Sequence, residues 1–222
     1  MAMIGIRDLC ERKDVALRLP ALFDAGRLAQ DLGRMDESWW ETHLSDYHDG
    51  NWDSISLRAP GGSRSNQVSF GAEFAPTEAL ARCDYLPEVI ESLPGEKNRV
   101  RFLRLRPGGE IFPHSDPMHL IDPALVRLHV PVSTNPAVDF RVNGVVLRML
   151  PGETWYVDVR FRHCVKNNGP TDRVHLVLDI VGNAELRALM SAAESRGKGY
   201  LTGYFLKHAL PRRVVRRLGL GN

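Results

Sequence analysis

The sequence has few cysteines and no long apolar run, and both absences narrow the kinds of protein it can be. Among 222 residues there are three cysteines, Cys10, Cys83 and Cys164, which lie far apart. An odd and scattered set does not build the disulfide framework of a small secreted domain, and it suits a reducing cytoplasm. No stretch is apolar enough to predict a membrane-spanning helix, and residues 1–10 lack the pattern of a cleavable signal. These features predict a cytoplasmic protein without a transmembrane segment.

The net charge is also small, at +2, but it is unevenly distributed. From Leu186 onward the chain has eight lysines or arginines and one acidic residue, Glu194. Such a tail can attract nucleic acid, a membrane surface or an acidic protein, although a solvated helix face is the commoner explanation. We expect no nucleic-acid partner and at most a weak acidic one. Apolar residues in 201–220 recur at helical spacing, so residues 186–222 are predicted as a basic helical extension of a domain spanning 1–185.

Segments that alternate between apolar and polar residues occupy much of the second half of the chain. In residues 125–132 the even-numbered positions are apolar, whereas Arg127 and His129 lie on the opposite face. Residues 173–181 show the same alternation, with Arg173 opposite the apolar face. Such alternation is typical of half-buried strands. The polar faces lie either in water or in the polar cavity of a barrel, and alternation alone favours neither.

Turn signals separate these segments from one another. Asn143-Gly144, between two short apolar segments, is a strong hairpin signal, and Pro-Gly pairs at 107–108 and 151–152 predict further turns. Residues 1–50 instead predict an N-terminal segment with short helices, one of them capped by Asp24. Many short strands with turn signals predict a mainly β protein with flanking helices, folded as a barrel or a jelly roll. Strands are predicted at 52–58, 99–106, 125–132, 139–142, 145–149, 154–159 and 173–181.

The Pro-His-Ser-Asp stretch at 113–116 carries the strongest chemical signal. Alternate residues of a strand point to the same side, so His114 and Asp116 can contact one metal ion. A third ligand is needed to fix the geometry of the metal, and His163 is the candidate. Two histidines and one carboxylate that leave coordination positions open are typical of non-haem Fe(II) oxygenases. Taken alone, a His-x-Asp triplet is more often an exposed polar pair at a strand end.

Four blocks of sequence, in order, make this interpretation more specific. They are residues 104–116, 126–131, 161–163 and 172–179. Together they resemble the aspartyl/asparaginyl β-hydroxylase family, which includes bacterial proline hydroxylases of the cis type. The resemblance implies a double-stranded β-helix, a cupin-like jelly roll, with Fe(II) as cofactor and 2-oxoglutarate as co-substrate.

The resemblance also implies roles for individual residues. The two histidines and the aspartate named above would be the catalytic metal ligands. Arg173 would bind the distal carboxylate of 2-oxoglutarate, because a guanidinium recognises a carboxylate in bidentate fashion. Arg127 and His129 match positions that line the co-substrate pocket. The animal members have a glycine where this chain has Asp116, so the full triad is closer to the small-molecule hydroxylases. They also have a serine where this chain has Leu103, which leaves the co-substrate contacts on that side open.

The substrate implied is an amino acid or an amino-acid-derived unit, free, carrier-bound or peptidyl. Arg101 shares a strand face with Leu103 and Leu105, so it is a candidate to hold a substrate carboxylate, as are Arg58 and His119. A surface position is the commoner explanation for such an arginine. Two other functions stay open: a non-catalytic cupin-like module that binds a ligand, and an oxygenase of lipid acyl chains docked by the basic tail.

Overall fold

The computed structural model describes residues 13–66, 73–116 and 124–200. The strands are β1 (Lys13–Asp14), β2 (Ala16–Leu22), β3 (Glu41–Thr42), β4 (Trp52–Pro60), β5 (Phe74–Pro76), β6 (Glu96–Leu105), β7 (Glu110–His114), β8 (Leu125–Ser133), β9 (Val138–Val142), β10 (Val145–Leu147), β11 (Glu153–Val157), β12 (His163–Asn167), β13 (Arg173–Val181), β14 (Glu194–Ser195) and β15 (Lys198–Gly199). The helices are α1 (Ala25–Leu32), α2 (Leu86–Ser92) and α3 (Ala184–Ser191), with single 3-10 turns at Glu37–Trp39 and Leu80–Arg82. None of the helices in these ranges is long and apolar enough to cross a membrane.

The strands form two facing sheets and one short pair. The larger sheet runs in the order β14-β2-β11-β8-β13-β6-β4-β3, with β5 paired to β4. The smaller sheet runs β10-β9-β12-β7, and β1 pairs with β15. Sequence neighbours are often far apart in these orders, as in a jelly roll, where the chain crosses repeatedly between sheets. The predicted fold class, mainly β with flanking helices, is confirmed.

Two apolar clusters lie on opposite faces of the larger sheet. On its outer face, strand residues such as Leu176 pack against Leu28 of α1 and Leu86 of α2. On its inner face, Leu103 packs with residues of the smaller sheet such as Phe140. Because strand side chains alternate, burial of Leu176 among the helices turns Arg173, His175 and the other odd-numbered residues of β13 toward the interior. The polar rows of β8 and β13 therefore face the interior between the sheets.

Several local predictions are confirmed. Asn143 and Gly144 have φ angles of 49° and 78°, and they join β9 to β10 as the predicted hairpin. The carboxylate of Asp24 accepts a hydrogen bond from the backbone N–H of Arg27 and caps α1. Glycine at position 144 suits this turn because both central residues need a positive φ.

The prediction for residues 1–50 was wrong in one respect. Ala16–Leu22 is not part of a helical segment but strand β2, which pairs antiparallel with β11 along most of its length. Leu17 and Leu19 are buried on one face and Arg18 is exposed on the other. The partner strand lies more than a hundred residues away in the sequence, so a short and Pro-containing segment gave no local sign of its pairing.

The prediction of a helical extension over 186–222 is also modified by the structure. After α3 the chain turns into β14, which pairs with β2, and β15, which pairs with β1. Residues 194–199 are therefore attached to strands near the N-terminus. The predicted amphipathic helix in 201–220 and the candidate His119 lie outside the described residues.

Candidate active site

Three metal-ligating side chains meet at one end of the interior. His114 ends β7, Asp116 follows it, and His163 begins β12 directly opposite His114 in the antiparallel pair. Their ligand atoms all lie within 4.8 Å of one another. Oδ1 of Asp116 is 3.4 Å from Nε2 of His114 and 3.8 Å from Nε2 of His163. Atoms bound to one metal at about 2.1 Å in neighbouring octahedral positions are about 3 Å apart, so a small contraction produces a metal site.

Each histidine is oriented by the carbonyl oxygen two residues before it. Nδ1 of His114 is 2.7 Å from the oxygen of Phe112, and Nδ1 of His163 is 3.0 Å from the oxygen of Phe161. A carbonyl oxygen only accepts, so the proton of each ring is on Nδ1 and the lone pair is on Nε2. Hydrogen bonding of this kind fixes the tautomer and the ring orientation of metal-binding histidines.

The charge state of these residues also suits a metal. Burial would raise the pKa of Asp116, but the charge of Arg127 holds it well below its usual range. Burial lowers the pKa of His163 to about 4, so this ring is neutral at pH 7. A neutral imidazole and an ionised carboxylate are the forms that bind metals. Two histidines and a carboxylate on one side of an ion fit Fe(II).

A chain of buried ion pairs extends from the metal cluster. A terminal nitrogen of Arg127 donates to the second oxygen of Asp116. Its other nitrogens donate to both oxygens of Asp179, at 2.7 and 3.1 Å. Arg101 donates to Asp179 as well, at 2.9 Å. The donors of Arg127 are thus used on two carboxylates, and its contacts support the metal cluster rather than an open pocket.

Asp179 was missed in the sequence, although a signal was present. It lies on the same face of β13 as Arg173 and His175, and it is 3% exposed. An acidic residue at an inward-facing position of a strand requires a cationic partner in the interior. The alternation therefore pointed to an ion pair, but the sequence alone did not indicate which arginine supplies it.

Arg173 is a buried cation that pairs with no carboxylate of the described residues. It is 2% exposed, and its NH2 lies 2.9 Å from Nδ1 of His175. The guanidinium carbon is 5.4 Å from the centre of the Phe140 ring. Its Nε has no hydrogen-bond partner, and among the residues the structure describes no carboxylate pairs with it. Burial lowers its pKa to about 9, which leaves it positively charged at pH 7. Burying an unpaired charge costs several kcal/mol, so this position is suited to an anionic ligand.

His129 lies beside this arginine in the interior. It is 6% exposed, its Nδ1 is 3.4 Å from Nδ1 of His175, and its Nε2 has no partner in the described part of the chain. Burial and the charge of Arg173 hold the pKa of His129 well below its usual range. The ring is therefore a neutral polar group available to a ligand.

The two candidate substrate arginines have different surroundings. Arg101 is 3% exposed and faces the interior, as its shared face with Leu103 predicted, and its Nε has no partner there. Arg58 instead donates to two backbone carbonyl oxygens, that of Lys97 at 3.1 Å and that of Phe74 at 2.6 Å. Its donors hold the edge strand β5 against the sheet. Two donors of Arg58 thus make structural contacts, and its contact with a substrate stays a prediction.

Tyr47 is a further residue near the metal cluster that the sequence did not reveal. Its ring stacks on His114, with 4.6 Å between ring centres and 8° between ring planes. Its carbonyl oxygen accepts a hydrogen bond from the backbone N–H of Phe112 at 2.6 Å. The loop before β4 thus extends along β7 and covers one side of a candidate ligand.

The sequence profile of the family described as aspartyl/asparaginyl beta-hydroxylase matches residues 26–182. The chain belongs to this family. The matched region contains the metal cluster, the ion-pair chain and Arg173. The predicted resemblance is thereby confirmed.

Curated relatives come from the same family. An L-proline cis-4-hydroxylase of Rhizobium meliloti (strain 1021) is 30% identical over 167 residues, which cover 73% of this chain and 59% of that protein. An L-proline cis-3-hydroxylase of a Streptomyces species is 27% identical over 147 residues, covering 63% of this chain and 50% of that protein. The chain therefore spans between half and three fifths of the length of these relatives.

A solved structure supports the fold independently of close sequence similarity. An oxidoreductase of the 2OG-Fe(II) oxygenase family from Burkholderia pseudomallei superposes with a TM-score of 0.53 at 15% identity. The match covers 74% of this chain and 84% of that one. At this identity the similarity shows the fold alone.

Proposed function

We propose that this protein is an Fe(II)- and 2-oxoglutarate-dependent hydroxylase of an amino acid or an amino-acid-derived unit. The observation that carries the proposal is a His-Asp-His cluster in the same interior as a buried arginine that pairs with no carboxylate in the described part of the chain. Membership of the family and the likeness to two named proline hydroxylases support it. Bound Fe(II) and 2-oxoglutarate supply the oxidising chemistry: one oxygen atom of O2 enters a C–H bond of the substrate and the other enters succinate, with release of CO2.

The residues of the chain bind and orient the reacting molecules. His114, Asp116 and His163 hold the metal on one side and leave its other positions open. Arg173 binds the distal carboxylate of 2-oxoglutarate, which supplies the negative charge missing from its surroundings. His129 contributes a polar contact to the same pocket. The apolar walls of the interior exclude water, which strengthens these charged contacts.

The proposed substrate class rests on the cationic character of the interior. Arg101 shares Asp179 with Arg127, which also pairs with Asp116, and Nε of Arg101 has no partner among the residues the structure describes. We propose that Arg101 binds the carboxylate of an amino acid and so holds one C–H bond toward the metal. Positioning of this kind matters because a displacement of about 1 Å can lower the rate about a hundredfold.

The test is a measurement of succinate release with Fe(II), O2 and 2-oxoglutarate in the presence of a substrate panel. The panel contains free amino acids with L-proline first, their carrier thioesters, short peptides and fatty acids. We expect an amino acid or one of its derivatives to stimulate succinate release and to yield a product heavier by one oxygen atom. His163→Ala should abolish turnover, whereas Arg141→Met, on the exposed face of β9, should leave it unchanged.

Other outcomes of the same experiment distinguish the alternatives. Turnover with fatty acids only would contradict the amino-acid substrate but retain the oxygenase. Binding of metal and 2-oxoglutarate without turnover of any compound would favour a non-catalytic cupin-like module. Arg101→Met should raise the KM for the amino acid with little change in the KM for 2-oxoglutarate, and equal changes in both would contradict the role of Arg101.

A further inference from the structure

We propose that His175 is a positioning residue that fixes the guanidinium of Arg173 in the orientation that binds the co-substrate carboxylate. This inference rests on the proposed function, and it concerns a residue to which the sequence analysis gave no role. Arg173 and His175 are alternate residues of β13 and point to the same side of the sheet. Both are 2% exposed, so their contact is shielded from water.

The hydrogen bond between them has a defined direction. A guanidinium has donors only, so NH2 of Arg173 donates and Nδ1 of His175 accepts, over 2.9 Å. The proton of His175 is therefore on Nε2 and the ring is neutral. Burial lowers the pKa of His175 well below its usual range, and the charge of Arg173 acts in the same direction. The ring remains an acceptor over the whole working range of pH.

The contact leaves the binding edge of Arg173 open. One terminal nitrogen is used on His175, and the face of the guanidinium lies over Phe140. Nε has no partner among the described residues, so it is available to one oxygen of a carboxylate. A residue that held Arg173 through Nε would block this edge. His175 holds it from another nitrogen.

Empty space at His175 explains why a restraint is needed. The residue lines a cavity of about 290 Å³ whose walls include Phe140, Leu147 and Met149. Because the packing around His175 is incomplete, the arginine side chain can adopt another rotamer once the acceptor is removed. Ordering a long arginine side chain costs conformational entropy. A hydrogen bond that orders the side chain before the ligand binds reduces the entropy that is lost on binding.

The test measures equilibrium binding of 2-oxoglutarate to the full chain loaded with Mn(II), by calorimetry. His175→Leu removes the acceptor, and it should raise the Kd for 2-oxoglutarate about tenfold, the effect of losing one hydrogen bond to a charged group. His175→Asn is the matched control, because its amide oxygen lies near the position of Nδ1 and can accept. It should bind 2-oxoglutarate within about threefold of the wild type.

A double-mutant cycle shows whether His175 acts through Arg173. In an Arg173→Met background, His175→Leu should cause no further loss of 2-oxoglutarate affinity. In turnover assays, His175→Leu should raise the KM for 2-oxoglutarate more than it lowers kcat. Affinity for Mn(II) and the far-UV circular dichroism should match those of the wild type. If His175→Leu does not fold, His175→Gln takes its place as the variant without the acceptor. The glutamine amide reaches the position of Nε2 rather than that of Nδ1, so it does not accept from Arg173.

The outcomes separate this inference from the proposed function. Failure of the wild type to bind 2-oxoglutarate would overturn the proposed function itself. Wild-type binding together with unchanged binding by His175→Leu would overturn only the role of His175. Equal weakening by His175→Leu and His175→Asn would also overturn it, since packing rather than the acceptor would then be responsible.

Discussion

At the scale of single residues, Arg127 has the most consequential contacts. It lies between the candidate ligand Asp116 and the buried Asp179, and it is 13% exposed at its side chain. The resemblance predicted a place in the co-substrate pocket, but its donors are used on these two carboxylates. Arg127 therefore compensates the charge of the candidate ligand Asp116 and holds one of its oxygens, which leaves the other oxygen facing the two histidines.

Replacement of Arg127 by methionine should weaken metal binding about 10- to 100-fold, the range found for groups that orient metal ligands. The reason is that Asp116 and Asp179 would lose a shared cation in a buried site. The measurement is a Mn(II) titration at pH 7. Arg141→Met is the control, because Arg141 pairs with Asp139 at an exposed position. Unchanged Mn(II) affinity in Arg127→Met would contradict this role.

At the scale of elements, α2 depends on a carboxylate from another helix. Asp31 of α1 accepts hydrogen bonds from the backbone N–H groups of Asp84, Tyr85 and Leu86, at 2.7–2.9 Å. These are donors at the start of α2, which the helix itself cannot satisfy. Pro87 lies in the first turn of α2, where a proline is well tolerated.

Asp31→Ala should lower the free energy of unfolding by about 3 kcal/mol or more, because it leaves buried donors without an acceptor. Asp31→Asn, which retains one carbonyl oxygen, should cost less. Urea unfolding followed by circular dichroism measures both. Glu91→Ala on the exposed face of α2 should change the stability by no more than about 0.5 kcal/mol. A loss in Asp31→Ala as small as that of Glu91→Ala would show that the cap is not important.

At the scale of the whole molecule, the interior holds several histidines that are neutral when folded. Burial lowers the pKa of His43 to about 2 and that of His163 to about 4. His129 and His175 are also shifted well downward, by burial and then by Arg173. In the unfolded chain these rings titrate near pH 6.5, so protons bind the unfolded state more readily.

The metal-free protein should therefore lose stability as the pH falls below about 6.5, well before carboxylates are protonated. The measurement is the urea midpoint at pH 7, 6 and 5, with a progressive decrease expected. His43→Gln removes one of these titrations, so its stability should depend less steeply on pH. A midpoint that is constant or that rises toward pH 5 would contradict the burial of neutral histidines.

The sequence by itself determined the features that depend on near neighbours. The alternation in β8 and β13, the turn at Asn143-Gly144 and the cap at Asp24 each follow from side chains a few residues apart. The metal cluster was also within reach, because His114 and Asp116 are adjacent on one face of the chain. His163 was predicted from the ligand count and the resemblance, and strand pairing places it opposite His114.

The tertiary structure decided the features that depend on strands distant in sequence. β2 became a sheet strand because β11 and β14 pair with it, and Arg58 turned to carbonyl oxygens that two other strands present. Likewise, Arg127 and Asp179 lie on neighbouring strands, and their pairing follows from the register of β8 against β13. Register is set by the packing of whole faces rather than by any local sequence signal, and a shift of one residue would turn these charges to the opposite face.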